Sequence, residues 1–291
     1  MILIAGATGQ LGKSVVAQML RQGAKDRIAV LARDKEKAKA YADQGIEVRV
    51  ADFDKPETLP AAFAGMDRFL FISTMSQDRA AQQLRVVDAA AAAGIRHVVY
   101  TGLAIRDIAT SGVRDLMASH FETEARIRDS GMEWTFLRNT MYAEAIAQIA
   151  GPKALTDGIF LPGGQGRVPF ALRHEMGEAT ANLLLQDGHA GQTYTITGPA
   201  SWGYDDVASA LSRLTGTRLG YQDIPAAALA NGMRAAGLPD FLIWLTLGTL
   251  QDIKDGQYDI ASDDLARLLG RAPADIDQLV TSVFSPDPAL A

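Results

Sequence analysis

The sequence predicts an α/β fold: a Rossmann-type, doubly wound parallel sheet with a smaller, mainly helical C-terminal lobe. Three observations carry that expectation. Short apolar runs alternate with amphipathic stretches through the first two-thirds of the chain, the pattern of parallel strands joined by crossover helices. A glycine follows each helical stretch, at Gly23, Gly45, Gly65, Gly94 and Gly131, where a left-handed terminal residue is least strained as glycine. The segment Gly6-Ala7-Thr8-Gly9-Gln10-Leu11-Gly12 follows the first apolar run directly and opens the first helical pattern.

Strands are expected at Ile2–Ala5, Ile28–Leu31, Glu47–Val50, Phe69–Ile72, Val98–Tyr100 and Thr135–Leu137. Helices are expected between them at Leu11–Gln22, Lys35–Gln44, Thr58–Phe63, Ala80–Ala93 and Val113–Ser130, giving five βα units in a row. Near Gly151-Pro152 the rhythm changes. Gly158–Gly166 holds four glycines and a proline and reads as a loop or hairpin. A helix at Arg173–Gln186 and a strand at Thr193–Thr197 follow. The remainder is mainly helical, at Tyr204–Leu214, Ala226–Ala236, Pro239–Lys254, Ser262–Leu269 and Ala274–Phe284. Residues 1–150, with 172–198 returning to them, are expected to form the first domain, and 199–291 with 151–171 the small lobe.

The 291 residues are 48% hydrophobic and 21% charged, which are globular proportions. A net charge of −6 without a clustered basic patch argues against a nucleic-acid partner, because an acidic surface repels phosphate backbones. There is no cysteine, so disulfides, thiolate catalysis and sulfur-ligated metals are excluded. Met1 leads straight into Ile2-Leu3-Ile4 without a basic leader, so the cytoplasm is the expected location. The apolar stretch Phe241–Leu250 is too short to cross a bilayer. It reads as a buried or pocket-lining helix.

The glycine-rich turn carries the most chemistry. Gly6 permits a tight turn, Gly9 lets a pyrophosphate approach the backbone, and Gly12 lets the helix pack close to the strand. The helix N-terminus then presents N–H groups to the anion. Gly6, Thr8, Gly9, Gln10, Leu11 and Gly12 are therefore candidate cofactor residues. An ordinary glycine-rich loop is the plainer alternative; N-terminal placement and the spacing of three favour a dinucleotide.

The end of the second strand selects which dinucleotide. NAD sites usually place a carboxylate there for the ribose 2′-OH, whereas this strand ends in Arg33. A guanidinium grips a 2′-phosphate as a fork, and Lys37 stands one helical turn later. Asp34 is the counter-argument, since a small shift would let it take the ribose. NADP(H) is the expected cofactor, ahead of NAD. Asp52 and Phe53 follow the third strand, where an adenine commonly rests; Ser73, Thr74 and Met75 follow the fourth, at the sheet's carboxyl edge. Loop residues without a ligand contact are an equal alternative for these five.

The glycine turn, Arg33, the helix with His120-Phe121-Glu122-Thr123-Glu124, and Leu137-Arg138-Asn139-Thr140-Met141-Tyr142 together resemble the NmrA-like branch of the short-chain dehydrogenase/reductase superfamily. Within that branch the chain is most similar to the bacterial type 2 quinone reductases, then to the triphenylmethane reductases. The resemblance covers nearly the whole chain. It implies NADPH along the turn, a 2′-phosphate at Arg33, and the stretch Leu137–Tyr142 beneath the nicotinamide, with Leu137 and Asn139 on the cofactor. It also implies that this stretch borders the substrate pocket; Met75, Met141, Tyr142 and Phe170, with Trp244, are the apolar candidates to line it.

Most short-chain dehydrogenases use a tyrosine and a lysine four residues later, the ammonium lowering the phenol pKa. Here the seven tyrosines are followed at that offset by Gly45, Ala104, Ile146, Gly198, Ala208, Pro225 and Ser262. The dyad is absent. Its absence suits an acceptor that is already electrophilic and needs orientation more than acid assistance. The expected reaction is flavin-free, two-electron reduction of a quinone by NADPH. Reduction of triphenylmethane or azo dyes, and a redox sensor that binds NADP without turnover, remain as alternatives. His120 and Tyr142 are the candidate catalytic residues: His120 to help protonate the product, with Glu124 orienting it or simply solvated. His97, His174 and His189 read as structural or surface residues, and no metal site is expected. A small-molecule partner and a monomer or homodimer complete the expectation.

Overall fold

Strands form where the apolar runs occur, and the computed structural model describes residues 1–76 and 78–284. The strands are β1 (Ile2–Ile4), β2 (Ile28–Ala32), β3 (Glu47–Val50), β4 (Arg68–Ile72), β5 (His97–Leu103), β6 (Glu133–Asn139), β7 (Ile159–Leu161), β8 (Gln192–Ile196) and β9 (Tyr221–Asp223). The helices are α1 (Gln10–Arg21), α2 (Lys39–Asp43), α3 (Leu59–Phe63), α4 (Arg79–Ala92), α5 (Arg114–Met117), α6 (Ser119–Asp129) and α7 (Glu144–Ala150). Beyond them lie α8 (Arg173–Leu185), α9 (Tyr204–Thr215), α10 (Ala226–Ala235), α11 (Asp240–Lys254), α12 (Asp264–Leu269) and α13 (Ile276–Phe284).

Seven strands form one sheet in the order β3-β2-β1-β4-β5-β6-β8. The pairings among the first six are parallel, with Ile4 opposite both Val30 and Leu70. The order reverses at β1, and in such sheets a ligand binds at the carboxyl ends of the strands flanking that point. This is the expected doubly wound fold. Gly23, Gly45, Gly65, Gly94 and Gly131 all have positive φ, between +71° and +81°, so the glycine punctuation has the cause inferred for it.

Alternation along the strands puts Leu3, Ala29, Leu31, Phe69, Phe71, Val98, Tyr100 and Phe136 into one core, as a period of two requires. Its rings touch in series: Phe63–Phe69 at 4.9 Å, Phe69–Phe71 at 5.4 Å and Phe71–Tyr100 at 5.4 Å between centroids. Elsewhere in this unit Gly177 of α8 lies against α1, where a Cβ would come within 3.0 Å of the Val15 nitrogen. The close approach brings residues 173–195 back to the unit formed by Met1–Leu103 and Leu116–Asn139.

The second unit comprises Ala104–Asp115, Thr140–Leu172 and the described residues from Ile196 onward. It is mainly helical, with β7 and β9 paired in parallel. Within it, the loop before α5 is tied to α11: buried Asp252 accepts from the Ser111 hydroxyl at 2.6 Å and the Gly112 N–H at 2.7 Å.

Several expectations need correction. The 35–44 helix begins as a 3-10 turn at Glu36–Ala38, because the Asp34 carboxylate accepts from the Glu36 N–H at 2.9 Å and bends its start. The 113–130 helix splits into α5 and α6; at the break the Ser119 hydroxyl donates to the Leu116 carbonyl at 2.7 Å, competing with the helical ladder. Gly158–Gly166 is no hairpin, since its apolar part is β7, parallel to β9. Gly158, at φ +91°, permits the approach, for a Cβ there would lie 3.1 Å from the Gly220 nitrogen. Helix α7 and strand β9 were not expected. The start of α11 is not buried: Phe241 and Trp244 are 50% and 37% exposed, ring centroids 5.8 Å apart. No helix among the described residues is long and apolar enough to cross a membrane.

Candidate functional site

The glycine-rich turn leaves β1 and enters α1 within five residues. Gly6 has φ +68° and accepts from the Gly9 N–H at 2.9 Å, closing the turn. Gly9 is the N-cap of α1, without a side-chain cap, and the first turn of α1 contains no carboxylate. A helix leaves its leading N–H groups without intrahelical partners, so this end keeps both its donors and its positive dipole for an anion. Gly12 is a steric requirement: a Cβ there would run into the Gly6 carbonyl oxygen and sit 2.7 Å from the Ala7 Cα. Thr8 is half-buried, Gln10 exposed and Leu11 buried among the core residues. From α2, the Tyr41 hydroxyl donates to the Ala7 carbonyl at 2.7 Å, which ties the turn to that helix.

At the end of β2, Arg33 and Lys37 are exposed, and neither makes an ion pair with another described residue. The Asp34 carboxylate is turned back onto the Glu36 N–H, so the residue that would favour NAD is engaged in shaping its own turn. Beyond β3, Asp52 is half-buried and accepts from the Asp54 N–H at 3.1 Å. Phe53 is 7% exposed and packs edge-on against Phe71 at 5.7 Å, so most of its ring belongs to the core. After β4 the Ser73 N–H donates to the Thr101 hydroxyl at 3.0 Å. Thr74 donates to Gln82 at 2.6 Å, and Met75 is 58% exposed. Leu137 and Asn139, at the end of β6, are buried.

His120 is buried in a polar cluster. Its Nε2 lies 2.5 Å from an Arg79 guanidinium nitrogen, and its Nδ1 lies 3.0 Å from the Tyr100 hydroxyl oxygen, which is 2.7 Å from the Gln83 amide oxygen. A guanidinium only donates, so Nε2 accepts and Nδ1 carries the proton. The protons then run in order: Arg79 to Nε2, Nδ1–H to Tyr100, and Tyr100 O–H to Gln83. Burial first, and then the Arg79 charge, holds His120 well below its ordinary range. The expectation that His120 donates a proton to product is corrected: its one proton is committed and its imidazolium is disfavoured. Glu124 neither orients His120 nor is solvated. Its buried carboxylate accepts from Nε and one Nη of Arg138, at 2.9 and 2.6 Å.

His120 has a consequence for stability. The unfolded chain takes up this proton near pH 6.5 while the folded protein resists it, so stability falls as pH drops below 6.5. The loss is up to about 1.4 kcal/mol per pH unit until the folded pKa is reached. Urea midpoints measured at about pH 7.5 and about pH 5.5 are therefore expected to separate less in His120→Gln than in the unmodified protein. An equal separation would contradict the neutral assignment. His97 and His189 are lowered in the same direction, mainly by burial, and act equally in both proteins.

In the second unit, Met141 and Tyr142 are half-buried, and Tyr142 bridges to Ala171 through the backbone. Phe170 is 1% exposed and packs against Tyr204 at 6.4 Å. His97 pairs with Thr135 at 2.8 Å and His189 with Tyr194 at 2.7 Å, while His174 is exposed. Among the described residues no three His, Asp or Glu side chains form a group able to hold a metal.

Sequence reasoning missed Arg79, Gln82 and Gln83, all buried on α4. The signal was present. With Val86, Val87 and Ala90 they recur at i, i+3, i+4, i+7, i+8 and i+11, one face of a helix; polar residues on that face had to find buried partners.

With this geometry in hand, the likenesses to known proteins are extensive. The model of the NmrA-like family matches residues 1–263. Quinone oxidoreductase 2 of Escherichia coli is 34% identical over 98% of this chain and 99% of its own. The NAD(P)H azoreductase of Xenophilus azovorans is 28% identical over 94% of this chain and 92% of its own. Two solved structures superpose along nearly their whole length. Citrobacter sp. triphenylmethane reductase complexed with NADP(H) has TM-score 0.89 at 32% identity, covering 97% of this chain and 99% of that one. The E. coli NADPH-dependent quinone oxidoreductase complexed with NADPH has TM-score 0.90 at 33% identity, covering 98% and 100%. A glycine turn at the sheet's reversal point, and a family match that runs through it and on to residue 263, lead to one statement: the chain belongs to the NmrA-like family.

Proposed function

We propose that the protein is an NADPH-dependent oxidoreductase that reduces quinones by direct hydride transfer, without a flavin. The observation that carries this reading is the uncapped, carboxylate-free N-terminus of α1 directly behind Gly6–Gly9, in a chain whose full-length relatives include NADPH-dependent quinone oxidoreductase. The first unit is read as the NADP-binding domain and the second as the substrate lobe.

The backbone of Gly6, Thr8, Gly9, Gln10 and Leu11 would hold the pyrophosphate, and Gly12 keeps α1 close enough to present its N–H groups. Arg33 and Lys37 would neutralise the 2′-phosphate. Asp52 keeps one carboxylate oxygen for the adenine amino group, while Ser73, Thr74, Leu137 and Asn139 border the dinucleotide. When bound, NADPH supplies a hydride, two electrons in one step. The protein's residues orient donor and acceptor and exclude water; the quinone's own electrophilicity replaces the absent tyrosine–lysine acid. Met75, Met141 and Tyr142 are the residues proposed to touch the acceptor, Tyr142 through an aromatic face with a polar tip.

A second reading, reduction of triphenylmethane or azo dyes, has a specific support: the triphenylmethane reductase structure matches as well as the quinone reductase structure does. Steady NADPH oxidation, followed by nicotinamide absorbance with small quinones, triphenylmethane dyes and azo dyes in parallel, separates the two. The proposal expects turnover with quinones to exceed that with either dye class; the reverse order would replace it. The partner is read as a small molecule, with no nucleic acid, met in the cytoplasm by a monomer or homodimer.

A further inference from the structure

We infer that Gln82 is a positioning residue for the dinucleotide: its buried amide sets the distance between the loop after β3 and the loop after β4. The inference rests on the NADP(H) reading above.

Gln82 is 4% exposed in the first turn of α4. Its Oε1 accepts from the Thr74 hydroxyl at 2.6 Å, and its Nε2 donates to the Asp54 carboxylate at 2.6 Å. A carboxylate can only accept, so the orientation of the amide is settled by its partners. Thr74 follows β4 and Asp54 follows β3, and between these strands lie β1 and β2. No sheet ladder can therefore hold the two loops to each other. One side chain does so from below.

Each loop is anchored on its own side of this bridge. The Asp54 N–H donates to the Asp52 carboxylate at 3.1 Å, and the Asp52 N–H donates to the Thr58 hydroxyl at 3.0 Å. On the other side the Ser73 N–H is held by Thr101, itself buried on β5. Thr74 and Asp54, each next to an anchored residue and joined by one short amide, are held at one separation. In a doubly wound sheet the two nucleotide halves bind on opposite sides of the reversal point. A ligand that spans both halves feels that separation, whereas a fragment that occupies only the β2–β3 side does not.

The test uses the full chain and two probes, NADPH and adenosine 2′,5′-bisphosphate. Gln82→Glu places a second carboxylate against Asp54 and is expected to weaken NADPH about tenfold while leaving the bisphosphate within about twofold. Adding Asp54→Asn restores a donor facing an acceptor with the same atoms exchanged, and should bring NADPH back to within about twofold of the original. Asp54→Ala, at an exposed residue, opens the same bridge without altering the core and should weaken NADPH about threefold. Unchanged NADPH binding in Gln82→Glu or Asp54→Ala overturns the inference. So does equal weakening of both probes that Asp54→Asn fails to rescue, which marks general damage to the fold. An unmodified protein that binds neither probe would instead overturn the NADP(H) reading itself.

Discussion

Arg33→Ala is expected to weaken NADPH binding by about 1.5–3 kcal/mol, the usual worth of a charge-assisted hydrogen bond, and so by about ten- to a hundredfold. NADH should be almost unaffected. The asymmetry follows from position. Arg33 is exposed at the end of β2, and no described carboxylate pairs with it. Its removal therefore costs the fold little and costs the site one phosphate partner. One oxygen of the Asp34 carboxylate is already engaged by the Glu36 N–H. Fluorescence titration with both cofactors measures the ratio. An equal loss for NADPH and NADH would mean that Arg33 does not read the 2′-phosphate.

Gly12→Ala is expected to do more damage, and in a different way. The added Cβ meets the Gly6 carbonyl and the Ala7 Cα, both backbone atoms, so no side chain can rotate aside. Helix α1 must move off the turn. Overpacking of this kind costs about 1–3 kcal/mol of stability, and the displaced N–H groups should lose most of their affinity for NADPH, about a hundredfold or more. Gly9→Ala is the control: its Cβ would sit 3.3 Å from the Gly6 oxygen. It should lower the urea midpoint less than Gly12→Ala does, by the cost of an alanine at an N-cap, while still blocking pyrophosphate approach. If Gly12→Ala keeps both its midpoint and its NADPH affinity, the close packing of α1 on the turn is not what builds the site.

The features that follow from local pattern were legible in the sequence. The parallel sheet came from alternating runs, the turn from Gly6, Gly9 and Gly12, and the positive-φ helix ends from the glycines behind each helix. Residues whose environment depends on long-range packing were not. Phe53 sits in a loop that could equally have faced a ligand, and only its contact with Phe71 shows that it belongs to the core. His120 was read as a proton donor to the product, whereas its environment is set by Arg79, 41 residues earlier, and by Tyr100, 20 residues earlier. Glu124 was legible as a charge but not as the partner of Arg138, 14 residues later. Polar residues on the buried stripe of α4 were the one available warning that this side of the sheet has a polar core.

The correction at His120 also sharpens the chemistry. With the tyrosine–lysine dyad absent and the His120 proton directed to Tyr100, neither of these groups supplies an acid for reduction of an unactivated carbonyl. An acceptor that needs only a well-placed hydride fits the residues that are present.

That claim is tested most directly by single-turnover mixing of flavin-free protein, loaded with NADPH or with NADPH deuterated at nicotinamide C4, against a small quinone. The account predicts loss of NADPH and appearance of hydroquinone at one shared rate, slowed by the deuterium on the transferred face. Tight NADPH binding with no hydroquinone formed across several quinones would contradict it, and would leave a protein that binds the cofactor without spending it.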